Sequence, residues 1–469
     1  MIHIRDSFTG EKLELRPITP GHVRMYVCGI TVYDYLHIGH ARMLVVFDMV
    51  RRYFESRGLK VTLVQNITDI DDKIIRRAAE NSEPIEALTE RFIRAMHEDK
   101  AKLGVRAPDH EPRATQYLPE IISMVAQLLV REYAYVASNG DVMYAVSRFE
   151  GYGRLSGKCL ADLRAGARVD VVEAKRDPLD FVLWKASKPH EPAWDSPWGR
   201  GRPGWHIECS AMSTALLGAH FDLHGGGMDL KFPHHENEIA QSCAANGAHF
   251  VNIWMHNGFI NVDNEKMSKS LGNFFVLREV LPRLRDPEVM RYFLLSSHYR
   301  RPINYSLEQL ELADAALGRL YTALRDIPRV SEIAPGAYTE RFQRAMDNDF
   351  STPAAIAVLQ ELARAINSAR DLGERAKAAA LAAELHALAG VLGLAQLEPA
   401  QWFRSAGSAG STGCDPDINV DRLIDNRNEA RRARNWQEAD RIRVELESAG
   451  VIVEDKPGGR TEWRRVAHR

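Results

Sequence analysis

The alternation of apolar and polar residues near the N-terminus predicts a strand, a helix and a second strand in succession. In residues 24–28, apolar Met25 and Val27 alternate with Arg24 and Tyr26, which predicts a short buried strand that ends at Cys28. Gly29 then predicts a turn. Apolar residues then recur at helical spacing until Gly58, which is a stop signal. Residues 60–67 form a β-branched run that predicts a strand parallel to the first, giving a right-handed βαβ unit. The apolar helix positions are Met43, Val46, Phe47, Val50 and Phe54.

The flanking and following segments add four features. Residues 1–23 predict an edge hairpin with a turn between Ser7 and Gly10. Residues 81–130 have a helical pattern, and residues 135–146 predict two strands joined by Asn139-Gly140. Residues 150–200 are rich in glycine, arginine and aspartate, which indicates an insertion into the sheet domain before the chain re-enters that domain near residue 204.

The second half of the chain is mainly helical in pattern. Residues 254–260 predict the last strand of the sheet, and stripes of leucine at helical spacing predict a bundle that begins near Leu307. Small polar residues predict a linker at 404–417. The last segment has two short helical patterns followed by two strand-like pieces.

We therefore predict an α/β fold: a Rossmann-type parallel-sheet catalytic domain with an inserted subdomain, followed by a helical bundle and a small mixed α/β C-terminal module. The predicted boundaries are 1–130 and 204–265 for the two halves of the sheet domain, 131–203 for the insertion, 266–306 for a loop and contact region, 307–403 for the bundle, 404–417 for the linker and 418–469 for the C-terminal module.

Composition narrows the class of protein further. The 469 residues carry 61 basic and 63 acidic side chains, a net charge of −2, so an RNA surface must come from local patches. The five cysteines are odd in number and widely spaced, which favours reduced thiols and a cytoplasmic location. The first residues lack an apolar signal core, and no apolar stretch is long enough to span a bilayer, so no membrane association is expected.

Two short motifs indicate phosphate chemistry. His37-Ile38-Gly39-His40 lies where a loop enters the first helix, so a ligand can approach the glycine backbone and the helix N-terminus favours phosphate. Residues 266–270, Lys-Met-Ser-Lys-Ser, place two lysines in a loop that can follow charge developing on a triphosphate. Alone, His37 and His40 could be ordinary surface or core histidines, and residues 266–270 could be a solvated basic turn. Together, and in this order, they resemble the HIGH and KMSKS signatures of class I aminoacyl-tRNA synthetases.

A third set of residues suits a metal. His234 and Glu238 lie four apart behind a proline that can begin a helix, so their side chains share one face. With Cys28 and Cys209 they make a set of ligands acceptable to zinc, although simple burial of the thiols is the alternative. The other ligand types nearby are expected to point elsewhere if the helix begins at that proline: His206, His235 and Glu236.

The segments around these residues, WHIECS and GGGMDLxFPHHENExAQ, closely resemble those of the cysteinyl-tRNA synthetase family. The resemblance implies one Zn²⁺ per chain, held by Cys28, Cys209, His234 and Glu238 at the floor of the amino-acid pocket. It implies catalytic roles for His37, His40, Lys266 and Lys269. The implied ATP-binding residues are Ile30, Gly39, His40, Asp229, Met267, Ser268 and Lys269, and the implied substrate-binding residues are Gly29, Thr31, Thr68 and Trp205.

Some of these roles have alternatives. Thr68 could instead cap the helix that follows it, and Trp205 could be a core residue. Asp229 could bind either the ribose or the substrate ammonium, and the resemblance favours the ribose. The resemblance also makes Trp436 and Trp463 candidates for stacking on anticodon bases.

The implied reaction joins L-cysteine and ATP into cysteinyl-adenylate and pyrophosphate, with Mg²⁺ accompanying ATP, and then transfers cysteine to tRNA(Cys). A monomer is expected. Three alternatives remain: a ligase that joins cysteine to an amino sugar by the same adenylation chemistry, a zinc hydrolase, and a non-catalytic RNA-binding protein of the same fold. The residues after 420 count against the first, the absence of HExxH against the second, and the intact signatures against the third.

Overall fold

The computed structural model describes residues 1–159, 175–189, 191–267, 272–328, 336–405, 419–456 and 460–465. The chain forms two compact units. The first contains Met1–Phe274, Ser297–Asn304 and Gln343–Ala355, and the second contains Phe275–Ser296, Tyr305–Phe342 and Ile356–Arg469. Within the described ranges, none of the helices combines the length and the apolar character needed to cross a bilayer.

The elements up to residue 266 are as follows. The strands are β1 (His3–Arg5), β2 (Lys12–Glu14), β3 (His22–Thr31), β4 (Lys60–Thr68), β5 (Ala134–Val136), β6 (Val142–Tyr144), β7 (Phe181–Ala186), β8 (Gly201–Pro203), β9 (Phe221–Gly227), β10 (Val251–Asn257), β11 (Ile260–Val262) and β12 (Glu265–Lys266). The helices are α1 (Ile38–Ser56), α2 (Asp72–Glu80), α3 (Ile85–Lys102), α4 (Leu118–Val130), α5 (Trp205–Leu217) and α6 (Glu236–Asn246).

The remaining elements are mostly helical. The helices are α7 (Leu277–Val280), α8 (Pro287–Leu295), α9 (Leu307–Leu324), α10 (Ala337–Asp347), α11 (Thr352–Asp371), α12 (Arg375–Val391), α13 (Pro399–Arg404), α14 (Val420–Arg432) and α15 (Trp436–Ser448). The strands are β13 (Ile303–Tyr305), β14 (Val451–Lys456) and β15 (Arg460–Arg465).

A four-stranded parallel sheet in the order β10-β9-β3-β4 forms the centre of the first unit. Strand β3 is buried on both faces, with Met25, Tyr26 and Val27 fully covered, as expected where helices lie over a parallel sheet. Helix α1 connects the parallel strands β3 and β4, which confirms the predicted βαβ unit. The predicted edge hairpin is also confirmed, as the antiparallel pair β1–β2.

The end of β3 differs from the prediction. The strand does not stop at Cys28 but continues to Thr31, with an irregularity in its pairing with β4 between Val27 and Ile30. A Cβ at Gly29 would lie 1.6 Å from the carbonyl oxygen of Asn66, so only glycine fits where the two strands approach so closely. Cys28 therefore lies inside a strand that is fixed on both sides of it.

The segment between α4 and α5 forms a separate antiparallel sheet in the order β5-β6-β7-β8, and Asn139-Gly140 joins its first two strands as predicted. Trp184 is buried there, with its ring against that of Trp198. The predicted helical region at 81–130 is wrong between α3 and α4, where residues 103–117 are irregular apart from one short 3₁₀ turn.

In the second unit, helix α9 begins at Leu307, where the leucine stripes predict the first helix of a bundle. The predicted stripes are buried at nearly every position, as expected for helices that pack on one another. The C-terminal part has the predicted order of two helices and two strands, in which α14 and α15 are followed by the antiparallel pair β14–β15. The buried stripe residues are Leu310, Ala313, Leu317, Leu320, Leu324, Leu359, Leu362, Ile366, Leu385, Leu388 and Leu392.

Candidate active site

A cavity of about 420 Å³ in the first unit, beside the carboxyl ends of the parallel strands, contains most of the site residues predicted from the sequence. This is the edge at which ligands bind in open parallel sheets. Ser268 and Lys269 lie outside the described residues. The predicted residues that line the cavity are Cys28, Gly29, Ile30, Thr31, His37, Gly39, His40, Thr68, Trp205, Cys209, Asp229, His234, Lys266 and Met267.

His37 and His40 cap helix α1 reciprocally. The amide of His40 donates to Nδ1 of His37 at 3.3 Å, and the amide of His37 donates to Nδ1 of His40 at 3.5 Å. The two rings stack with their centroids 3.6 Å apart. Because both Nδ1 atoms accept, the proton of each neutral imidazole is on Nε2, which is then a donor. The helix N-terminus and these donors together suit phosphoryl oxygens.

Gly39 makes this arrangement possible. A Cβ at residue 39 would lie 2.8 Å from Cε1 and 2.9 Å from Nδ1 of His37. Any side chain at this position would therefore push the His37 ring off the helix end.

Lys266 stands at the end of a short hairpin on another side of the cavity. Strands β11 and β12 pair antiparallel, and the amide of Met267 donates to the carbonyl of Ile260 at 3.0 Å. The Lys266 ammonium lies 3.9 Å from the centroid of the Phe259 ring, a cation–π contact. The hairpin thus positions one cation at the cavity, directly before the undescribed residues 268–271.

Asp229 follows the glycines at the end of β9. A Cβ at Gly227 would lie 2.4 Å from Oδ1 of Asp229, so the glycine allows the carboxylate to fold back over the strand end. The amide of Met228 donates to the carbonyl of Asn257 at 2.9 Å and fixes this turn to β10. The exposed Asp229 carboxylate is an acceptor suited to hydroxyl or ammonium donors.

Thr68 does not cap α2, whose N-cap is Asp71. Its hydroxyl instead donates to Oε2 of buried Glu208 at 3.0 Å and accepts from Nδ2 of Asn66 at 3.3 Å. Asn66 in turn accepts from the amide of Gly29 at 2.8 Å. Burial raises the pKa of Glu208 well above its usual range.

Sequence reasoning missed the role of Glu208 in fixing this wall of the cavity. The available signal was a carboxylate within a run of apolar and small residues from Ile207 to Met212, all of which are buried in the structure.

The predicted metal ligands converge at the floor of the cavity. The Sγ atoms of Cys28 and Cys209 are 3.7 Å apart, and Sγ of Cys28 is 3.3 Å from Oε1 of Glu238. Nε2 of His234 is 3.0 Å from the same oxygen. Two sulfurs bound tetrahedrally to one zinc at the usual bond length lie about 3.8 Å apart, so the spacing of the thiols fits the ion.

His235 belongs to this cluster as well, and the expectation that it points elsewhere is wrong. Ligand atoms of Cys28, His234, His235 and Glu238 all lie within 4.8 Å of one another. Nε2 of His235 is 3.3 Å from Sγ of Cys28. The reason is local: extended Phe232 (φ −144°, ψ 133°) interrupts the turn, so the regular helix begins only at Glu236.

The other two rival ligands behave differently from each other. Glu236 points away as expected, because its carboxylate accepts from the amides of Gly153 at 2.9 Å and Ser156 at 2.8 Å. His206 does not point away, since its Nδ1 lies 3.0 Å from Nδ1 of His234.

His224, which the sequence analysis did not single out, supports the carboxylate of the cluster. Its Nε2 lies 2.9 Å from Oε2 of Glu238, and its ring stacks on that of Trp254. The signal in the sequence was an imidazole within the buried strand β9. Such outer partners orient metal ligands and tune their basicity.

The charges in the cluster favour a cation. Burial opposes ionisation of Glu238, yet His224 and His234 hold the pKa of this carboxyl well below its usual range. Burial also disfavours charge on His234, but Glu238 and Cys209 raise its pKa to about 10. Burial raises the pKa of the Cys28 thiol, and Cys209 and Glu238 raise it further. A divalent cation would reverse that shift, since metal-bound thiols are deprotonated.

Trp205 covers one side of this floor. It is the first residue of α5 and is 37% exposed, so it is not a core residue. Its ring stacks on that of His234, with centroids 4.5 Å apart. The indole therefore borders the part of the cavity that lies above the cluster.

Known families match three successive segments of the chain. The family described as tRNA synthetases class I (C) catalytic domain matches residues 14–315. The DALR domain matches residues 341–396, and the family described as Cysteinyl-tRNA ligase anticodon binding domain matches residues 415–464.

Curated relatives and solved structures agree with these matches. Cysteine–tRNA ligase of Methylococcus capsulatus is 62% identical, over 99% of this chain and 100% of its own length. The enzyme of the same name from Alkalilimnicola ehrlichii is 61% identical, over 99% of this chain and 100% of its own length. Methionyl-tRNA synthetase of Mycobacterium tuberculosis has a similar fold, with a TM-score of 0.55 at 16% identity over 79% of this chain and 89% of that chain. The chain therefore belongs to the cysteine–tRNA ligase family of class I aminoacyl-tRNA synthetases.

Proposed function

We propose that the protein activates L-cysteine with ATP to cysteinyl-adenylate and pyrophosphate and transfers the cysteine to tRNA(Cys). The observation that carries the proposal is the single cavity that brings together the histidine cap of α1, Lys266 and the cluster of thiols, imidazoles and carboxylate. Adenylation of a thiol-bearing amino acid requires groups that bind phosphate at one side of the cavity. It is also served by thiol and imidazole metal ligands at the floor, where the substrate thiol would lie.

The activation step is in-line attack of the cysteine carboxylate on the α-phosphorus of ATP. His37 and His40 would hold phosphoryl oxygens from the N-terminus of α1, and Lys266, with Lys269, would stabilise the leaving pyrophosphate. These groups act by position and charge, and no covalent bond to the protein is needed. We propose that Ile30, Gly39, Met267 and Ser268 contact ATP, and that Mg²⁺ accompanies its phosphates.

Asp229 suits the ribose hydroxyls of ATP, because its carboxylate is an exposed acceptor at the cavity wall. We assign Gly29, Thr31, Thr68 and Trp205 to the amino acid, since all four line the cavity near Cys28. The Thr68 hydroxyl is oriented by its bonds to Glu208 and Asn66, so its position at the cavity wall is defined.

We propose zinc as the metal, held by Cys28, Cys209, His234 and Glu238, with His235 beside them. When bound, the ion would accept the thiolate of cysteine and discriminate against the alcohol of serine, which is much harder to deprotonate. Pocket shape alone separates such close analogues by only about 10- to 200-fold. Trp205 closes the space above the ligands, so that a small side chain is favoured there.

The C-terminal module would bind the tRNA. Trp436 is 59% exposed at the start of α15, which makes it available for base stacking. Trp463 is less suited, since its Nε1 donates to Oδ1 of Asp421 at 3.1 Å. The monomeric state and the cytoplasmic location stay predictions.

The test is ATP–pyrophosphate exchange with each of the twenty amino acids, followed by charging of tRNA(Cys) and of one non-cognate tRNA. Exchange with cysteine and charging of tRNA(Cys) alone are expected. Exchange with cysteine but charging of no tRNA would favour the amino-sugar ligase instead, and no exchange at all would favour a non-catalytic RNA-binding protein.

A further inference from the structure

Arg42, one turn into α1, is fully buried and binds main-chain carbonyls from two distant segments. Its Nη1 donates to the carbonyl of Phe259 at 2.6 Å. Its Nη2 lies 3.3 Å from the carbonyl of Tyr299 and also donates to that of Arg301. Every hydrogen-bond partner recorded for Arg42 among the described residues is a main-chain carbonyl, so carbonyl dipoles compensate its charge.

Phe259 connects Arg42 to the lysine that faces the cavity. The carbonyl of Phe259 accepts from Arg42, and its ring carries the Lys266 ammonium at 3.9 Å. The preceding residue, Gly258, is fixed too: its amide donates to the carbonyl of Tyr299 at 2.7 Å, and a Cβ there would lie 2.5 Å from the carbonyl oxygen of Arg301. The chain leading to Lys266 therefore lies directly against residues 298–301.

Residues 298–301 are held in turn by Asp349, which is 1% exposed. The Tyr299 hydroxyl donates to Oδ1 of Asp349 at 2.7 Å, and Nε of Arg300 donates to Oδ2 at 2.7 Å. The amide of Arg5 donates to Oδ1 at 2.9 Å. The carbonyls that Arg42 binds thus belong to a fixed part of the first unit.

We propose that Arg42 is a positioning residue for ATP activation, which sets the distance between the histidine cap of α1 and the lysine-bearing hairpin. The inference rests on the proposed function. His37 and His40 lie at the N-terminus of the helix that contains Arg42, and Lys266 lies on the hairpin that follows Phe259. One guanidinium therefore links the histidine cap and the lysine, the two groups that would hold the triphosphate. Arg42 would contact neither ATP nor cysteine and would act only through the histidine cap and Lys266.

The chemistry of the side chain supports the assignment. A guanidinium is planar and offers five donors in fixed directions, so it can bind carbonyls of two segments at once. A lysine ammonium keeps the charge but cannot reproduce this fork. Loss of the fork would let the hairpin move relative to α1, and a misplacement of about 1 Å can cost about 100-fold in rate.

The experiment compares Arg42→Lys with wild type in two separated steps. Formation of cysteinyl-adenylate from cysteine and ATP, followed in a single turnover, is expected to slow by about 10- to 100-fold. Transfer of cysteine from preformed, enzyme-bound adenylate to tRNA(Cys) is expected at the wild-type rate, because no triphosphate takes part. The KM for cysteine and the zinc content are expected to stay unchanged.

Arg291→Lys is the matched control. Arg291 is 1% exposed in the second unit and donates from Nε to the carbonyl of Leu392 at 2.7 Å. This variant tests the general cost of replacing a buried, carbonyl-bound arginine, and both steps are expected at the wild-type rate.

A second variant, Tyr299→Phe, keeps Arg42 and removes only the hydroxyl bond to Asp349. It is expected to slow adenylate formation as well, but by less than Arg42→Lys does. Because it keeps Arg42, it also tests the inference if Arg42→Lys fails to fold. Equal slowing of both steps in Arg42→Lys, or wild-type adenylate formation in both variants, would overturn the inference. If the proposed function were wrong, the result would be different, because the wild type itself would form no cysteinyl-adenylate.

Discussion

The thiols of Cys28 and Cys209 lie 3.7 Å apart, although they are 181 positions apart in the chain. Cys28 comes from the interior of β3 and Cys209 from the second turn of α5. Neither segment could hold a metal alone, so the site exists only when the sheet and the helix are assembled. Such a site is assembled by the fold and is not needed to fold a loop.

Removing the charge of Glu238 is expected to weaken metal binding. Its carboxylate contacts Cys28 and His234 at 3.3 and 3.0 Å, so Glu238→Gln should lower the affinity for zinc at least about tenfold, measured by competition with a chromogenic chelator. The control is Glu236→Gln on the same helix, whose carboxylate binds the amides of Gly153 and Ser156. Equal weakening by both variants would contradict the ligand assignment.

Replacing Gly39 should impair activation without unfolding the protein. The new Cβ of Gly39→Ala would lie 2.8 Å from the His37 ring, so the ring must leave the end of α1, and kcat for pyrophosphate exchange should fall by about 10- to 100-fold. Gly318→Ala in α9 is the control, because its Cβ would meet its nearest neighbour, Nε1 of Trp402, at 3.7 Å. Normal exchange by Gly39→Ala would show that the His37 position is not needed.

Thr68→Val should affect both stability and substrate binding. Buried Glu208 would lose its donor, which costs about 1–3 kcal/mol, and the KM for cysteine should rise. Thr339→Val removes a similar hydroxyl bond, to Glu384 at 2.7 Å in the second unit, and should lower stability with no effect on this KM. An unchanged KM in Thr68→Val would remove Thr68 from the substrate site.

The stability of the second unit should depend on the ionisation of Glu288. Burial raises its pKa to about 7, although the Tyr321 hydroxyl donates to it at 2.6 Å. Because the folded pKa lies above the unfolded value of 4.5, the contribution of this group to stability is fully present below pH 4.5 and is lost as the pH rises through 7. The resulting loss in the free energy of unfolding, relative to Glu288→Gln, is at most about 3 kcal/mol.

Hydrogen exchange of α8 and α9, corrected for the intrinsic pH dependence of exchange, measures this difference. Parallel pH profiles of the wild type and Glu288→Gln would contradict the prediction.

Features that depend on local periodicity could be predicted from the sequence. The βαβ unit, the helix that begins at Leu307 and the order of the C-terminal elements follow from apolar spacing and stop signals, and all three are confirmed. Helical spacing predicts that His234 and Glu238 share one face. Their convergence with Cys28 and Cys209 could be predicted only through the resemblance to a family, because nothing local brings those two residues to the pair.

Two errors arose where distant parts of the chain decide local structure, and a third arose from a local irregularity. Strand β3 runs past Cys28 because Gly29 lies against the carbonyl of Asn66 on the neighbouring strand. His235 joins the cluster because extended Phe232 delays the start of α6. Glu208 acquires its role only through Thr68, 140 positions away. Periodicity within one segment carries no information about such partners.

The most direct test of the account is pyrophosphate exchange with cysteine and with serine, measured on the wild type and on Cys209→Ser together with their zinc content. In the wild type, exchange is expected with cysteine and almost none with serine, and the variant is expected to lose both zinc and cysteine-dependent exchange. Wild-type exchange and wild-type preference for cysteine in a Cys209→Ser protein that holds no zinc would contradict it.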